Sequence, residues 1–147
     1  MKTLNILFLI LISNLGLAQI KVLNNPTAEV RGLIGSIENP SVKLNFKTEN
    51  GIDTLYILTY RNQKYQSIVD YSGIAFNSNK TKLNDVYDLF MSVYKAENIN
   101  NKNYRVIFEL EGKKIAISNR DGNIWLYTTE GYVTLTKDDI NKIFNKN

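Results

Sequence analysis

Neither cysteine nor histidine occurs anywhere in this chain of 147 residues. Those two absences exclude more chemistry than any motif in it supports. Without cysteine there is no disulfide, no thiol nucleophile and no lipidated N-terminal cysteine, so stability rests on a hydrophobic core. Without histidine there is no Ser-His-Asp or Cys-His catalysis, no imidazole general base and no ordinary zinc site. No Walker A, GxGxxG or GxSxG pattern occurs either. The nearest stretch, Arg31-Gly32-Leu33-Ile34-Gly35-Ser36, lacks the lysine and the strand-to-helix setting that cradle a phosphate. Glycine within a strand or bulge accounts for it.

Charge of either sign is thinly spread. There are 18 basic and 14 acidic residues, net +4, and the bases are scattered along the chain. A nucleic-acid binder gathers them on one face, so no nucleic-acid partner is expected. Apolar runs are short, and the longest stands at the start. Lys2, the stretch Leu4 to Ile12 and the small residues Gly16 and Ala18 follow the order of a signal peptide over residues 1–18, cleaved between Ala18 and Gln19. A bilayer-spanning helix needs about 18 or more apolar residues, and no run reaches that. The expected product is one globular α+β domain, residues 19–147, exported to the bacterial periplasm or exterior without a membrane anchor. A domain of this size buries roughly two thirds of its unfolded surface.

The pattern of apolar residues then sets the expected elements. Gln19 to Leu23 reads as a short edge strand and Glu29 to Ile37 as a Gly-interrupted one. Val42, Leu44 and Phe46 alternate with Lys43, Asn45 and Lys47, the period of a half-buried strand. Asn50-Gly51 is a hairpin turn signal, Asp53 to Tyr60 the return strand, and Tyr65 to Tyr71 the next, extended at Ile74 to Phe76. The period changes at Leu83, Val86, Tyr87, Phe90, Val93 and Tyr94, one stripe of a helix that runs to about Glu97 with Thr81 as N-cap. Turns at Glu111-Gly112, Asp121-Gly122 and Glu130-Gly131 separate strands Tyr104–Leu110, Lys113–Ser118, Asn123–Thr128 and Tyr132–Leu135. Thr136 with Asp139 forms a capping box, and Leu135 with Ile140 a hydrophobic staple, opening a short last helix. The predicted class is α+β: antiparallel meander sheets packed by one long and one short C-terminal helix, in the order strands, helix, strands, helix. The alternative is a small β-barrel with flanking helices.

Few residues invite a chemical reading. Ser118 to Glu130 resembles a calcium loop, but aligning Gly122 with the loop glycine leaves Ile117 and Thr128 where carboxylates belong. A hairpin turn is expected there, and no metal. Asp53, Asp70, Glu109 and Glu111 are the acids available to a two-carboxylate hydrolase, and solvated positions account for them. Asn79-Lys80-Thr81 is a formal glycosylation triplet that an Asn-rich chain produces by chance. Tyr60-Arg61-Asn62-Gln63-Lys64-Tyr65 interleaves aromatics with bases around a turn, and Trp125 is the single tryptophan. Tyr60, Arg61, Lys64, Tyr65 and Trp125 are therefore the residues singled out for partner contact, with no catalytic residue and no cofactor. The reading reached from sequence is a non-enzymatic binding module engaging an envelope or extracellular protein. Its rivals are a hydrolase using carboxylates alone, or a carrier of a small apolar ligand lined by Tyr87, Phe90 and Tyr94.

Overall fold

The structure, a computed structural model, describes residues 29–49 and 53–146. The signal segment, the strand at Gln19 to Leu23 and the turn at Asn50-Gly51 lie outside them. Strands β1 (Val30–Ile37), β2 (Val42–Glu49), β3 (Asp53–Arg61) and β4 (Tyr71–Asn77) form one antiparallel sheet in chain order. Helix α1 (Leu83–Met91), a 3-10 turn (Ser92–Tyr94) and the short α2 (Ala96–Ile99) follow. Strands β5 (Arg105–Leu110), β6 (Lys113–Arg120), β7 (Asn123–Tyr127) and β8 (Tyr132–Leu135) make a second meander, and α3 (Lys137–Phe144) ends the series. The class is α+β with two open four-stranded sheets, not a closed barrel.

Alternation fixes which face of each sheet turns inward. Val42 and Leu44 of β2, Leu58 and Tyr60 of β3, and Ile74 and Phe76 of β4 are buried. In the second sheet Leu110, Ile115, Ala116, Ile117, Ile124, Leu126, Val133 and Leu135 are buried. These join Val86 and Phe90 of α1 and Ile140, Ile143 and Phe144 of α3 in a single apolar cluster. Burial of this kind stabilises by roughly 25 cal/mol per Å² of apolar surface, and both sheets draw on the same core.

Local signals hold where local chemistry decides. Glu111-Gly112 and Asp121-Gly122 all have positive φ, the conformation of two-residue type I′ hairpins. The Thr136 hydroxyl accepts from the Asp139 amide while the Asp139 carboxylate accepts from the Thr136 amide, the reciprocal capping box. Leu135 and Ile140 are both fully buried at the staple positions.

Three expectations fail. Tyr65 to Asp70 is not a strand; β4 begins at Tyr71. Only there does the alternation Ser72, Ile74, Phe76 meet Tyr60, Leu58 and Tyr56 in register. Thr81 does not cap α1; its amide donates to the Asn77 carbonyl, and the N-cap is Lys82 with no side-chain hydrogen bond. The long helix stops early, with Lys95 extended. Ser92 Oγ donates back to the Leu89 carbonyl, Asn98 donates to the Ser92 carbonyl and Tyr104 to its hydroxyl. Such side-chain bonds compete with the helical ladder.

The glycines of β1 are explained by close approach. The register slips between Leu33 and Gly35, a β-bulge, and a Cβ on Gly35 would lie 2.1 Å from the Lys142 carbonyl oxygen and 2.6 Å from that of Ile143. Backbone on the far side cannot yield as a flexible side chain would. Gly35→Ala is expected to push α3 off β1 and cost about 2 kcal/mol, within the usual range for overpacking, read as a lower urea midpoint with unchanged slope.

Candidate functional site

The segment between β3 and β4 is the most informative departure from the sequence reading. It is a loop of Ω type, its ends pinched together, a form often used for function. At the neck the Asn62 amide donates to the Asp70 carbonyl (2.8 Å), and the Asn62 side chain donates to the Asp70 carboxylate (2.9 Å). Asn62 is 1% exposed. Its side-chain nitrogen also donates to the Glu130 carbonyl (3.2 Å), while its oxygen accepts from the amides of Lys64 (3.0 Å) and Tyr132 (3.2 Å). A carboxamide has two donors and two acceptor lone pairs, so all four are used. Gly131 faces this side chain so closely that a Cβ would fall 2.0 Å from it.

The next residue extends the clamp along the free edge of β8. The Gln63 amide donates to the Tyr132 carbonyl (2.9 Å), and its side-chain oxygen accepts from the Thr134 amide (2.8 Å). One arm of the loop is thus bonded to the second sheet like a partial extra strand. Beyond it the loop runs free: Tyr65 is exposed, and Ile68 and Val69 are 63% and 65% exposed.

Between loop and sheet lies an open hollow of about 400 Å³ lined by Arg61, Gln63, Tyr65, Gln66, Trp125, Tyr132 and Thr134, with the turn Glu38–Ser41 on its far side. Three of the five residues singled out from sequence, Arg61, Tyr65 and Trp125, meet here. The others do not. Tyr60 is fully buried, its hydroxyl bonded to that of Thr128 (2.8 Å); burial raises its pKa, with Thr128 and Ser72 opposing the rise. Lys64 is exposed with its ammonium 5.3 Å from the Tyr65 ring, outside the lining.

Trp125 stands on the outer face of the second sheet. Its ring stacks on Tyr132 at 5.0 Å and 15°, the Arg120 guanidinium lies 4.6 Å over it, and Tyr127 packs 5.9 Å away. Tyr132 and the Asn62–Gln63 clamp escaped the sequence reading. The signal for Tyr132 was present, since a loop centred on Glu130-Gly131 sets it directly opposite Tyr127.

The stretch resembling a calcium loop is a hairpin whose best oxygen donor is already engaged. Asn119 is buried, its nitrogen donating to the carbonyls of Asn98 and Ile99 and its oxygen accepting from the Gly122 amide. No cluster of metal-ligating side chains is found among the described residues. The four acids considered for hydrolysis are dispersed: Asp70 serves the loop neck, Asp53 and Glu109 are exposed, and Glu111 pairs with Lys80. The Lys80 contact holds Glu111 below its usual pKa, the reverse of what a general acid needs. The aromatic stripe proposed to line a carrier cavity instead meets Phe144, whose ring lies 5.6 Å from Tyr87 and 5.7 Å from Phe90. The Tyr94 hydroxyl lies toward the Ile124 backbone without a hydrogen bond of normal geometry, and burial pushes its pKa up to about 12, aided by the charges of Asp139 and Asp138.

No family model, curated protein or solved structure matches this chain.

Asn62→Ala leaves the half-buried Asp70 carboxylate and the Tyr132 amide without their partner. The expected loss is about 3 kcal/mol, the scale of several unmade buried hydrogen bonds. Hydrogen exchange should localise the loosening to residues 62–70 and 130–134 rather than to α1.

Proposed function

We propose that this chain is an exported, non-enzymatic binding module of the bacterial envelope or exterior, and that it takes a partner protein at the hollow beside the Ω-loop. One observation carries the reading. Residues distant in sequence, Arg61, Tyr65, Trp125 and Tyr132, converge on one hollow, and the same loop projects Ile68 and Val69 beyond it. Tyrosine, tryptophan and arginine are the residue types enriched at interface anchors. Exposed apolar side chains grouped on one loop gain most when a partner covers them, roughly 1.5–3 kcal/mol for each fully buried. The two-carboxylate hydrolase draws less support, since the hollows at this face hold Glu38 alone among acids.

The expected leader offers the first check: N-terminal sequencing of the protein recovered from periplasm or medium should begin at Gln19, and recovery of an intact N-terminus from that fraction counts against export. Partner contact is tested with Ile68→Asp and Val69→Asp. Both residues are exposed, so melting should stay near wild type, while a partner captured from envelope extract should be retained about tenfold less or lost. Equal capture by wild type and both variants would sink the assignment of this loop.

A further inference from the structure

The outer face of the second sheet carries a feature that the hollow beside the Ω-loop does not use. On this face β6 places Lys114, Ala116, Ser118 and Arg120, opposite the inward Ile115, Ile117 and Asn119, with Ala116 buried at the floor of the smaller hollow. The two middle residues are small, and their neighbours on both sides are large. Across Ser118 stand Arg105 on β5 and Trp125 on β7; across Ala116 stand Ile107 and Tyr127. Small side chains on the central strand between large ones on its neighbours make a trough along β6. It extends about 20 Å from Lys114 to Arg120 at ~3.3 Å per residue. Two hollows mark it, one of about 190 Å³ beside Lys114 and one of about 330 Å³ beside Lys102 and Arg120, and Arg105 and Tyr127 line both.

Lys102, Arg105 and Lys114 form no salt bridge among the described residues, and neither does Arg120. No carboxylate lines either hollow; on this face Glu109, opposite Lys114, is the acid of β5. Four cations around two hollows that no acid lines complement a ligand with repeated anionic oxygens, which arginine grips in bidentate fashion.

We propose that this trough binds an acidic polysaccharide. Arg105 and Arg120 hold its anionic groups, Lys102 and Lys114 stand at the two ends, and Ser118 and Thr129 offer hydroxyl partners. Three observations favour that occupant over others with negative charge. Single-stranded nucleic acid binds by stacking bases on open ring faces, and Trp125 is enclosed between Arg120 and Tyr132. A peptide that binds by strand addition needs a free strand edge, and β6 is paired on both sides. A membrane surface calls for apolar side chains to insert, and Ile107 is the one large apolar residue exposed on this face.

The test titrates the purified protein with an oligogalacturonide at low salt, reading the fluorescence of Trp125, the single tryptophan, and binding heat by calorimetry. A saturable response weakened by added salt is expected. Arg105→Gln and Lys114→Gln should each weaken it by roughly tenfold, the loss of one charge-assisted contact, while melting as wild type. Arg120→Gln, read by calorimetry because it alters the environment of Trp125, should do the same. Lys43→Gln, an exposed cation on β2, should leave binding unchanged. No saturable response, an equal response to neutral dextran, equal weakening by Lys43→Gln, or tighter binding of oligothymidylate would each overturn the proposal.

Discussion

The carboxamide of Asn62 is the contact on which the arrangement of this surface depends. It lies where the first sheet ends and the second sheet's last hairpin turns, and it bonds to both. A buried amide with all four positions satisfied is worth more than the sum of its bonds, because each missing partner would leave a desolvated group behind. The requirement propagates outward. Gly131 must lack a side chain to admit the amide, Asp70 must close the loop neck, and Gln63 is thereby set against β8. Only with these in place do Arg61 and Tyr65 of one sheet's loop stand over Trp125 and Tyr132 of the other.

That dependence explains what sequence made legible. The alternation of β2, the two positive-φ hairpins and the capping box are local, decided by neighbours within a few residues, and they read correctly. The start of β4 and the end of the first helix are decided by Asn62 and Ser92, whose partners lie up to 70 residues away. Apolar content alone made Tyr65 to Tyr71 look like a strand; nothing local says that its side chains remain in water. The site was legible in the same measure. Residue type singled out Arg61, Tyr65 and Trp125, whereas Tyr60 was misjudged even though the period that buries Leu58 also sends Tyr60 inward.

Charge shows a division of labour that composition conceals. Several of the acids are committed to structure: Asp70 to the loop neck, Glu111 to Lys80, Glu130 to Lys113, Asp139 to the capping box, and Glu29 to Arg31 and Lys47. Arg61, Lys102, Arg105 and Lys114 carry no ion pair among the described residues. A net charge of +4 is small as a total, but committing carboxylates to internal contacts leaves unpaired positive charge beside the loop hollow and on the outer face of the second sheet. In a chain without histidine or cysteine, the proposed recognition rests on guanidinium, ammonium and aromatic groups.

The two meanders share an element order but not a role. In the first, β1 receives the end of α3 at Gly35, and the buried sides of α1 and α3 complete the core. In the second, the outer face keeps Trp125, Tyr127 and Tyr132 half-buried by stacking on one another. Cross-strand aromatic pairs of this kind are worth about 0.2–1 kcal/mol each, too little to account for placing so much aromatic surface outside the core on stability alone. Rings that pack together and still border solvent are rigid before any ligand arrives, so little conformational entropy remains to be lost on contact. The face is therefore preorganised by the same stacking that holds it together.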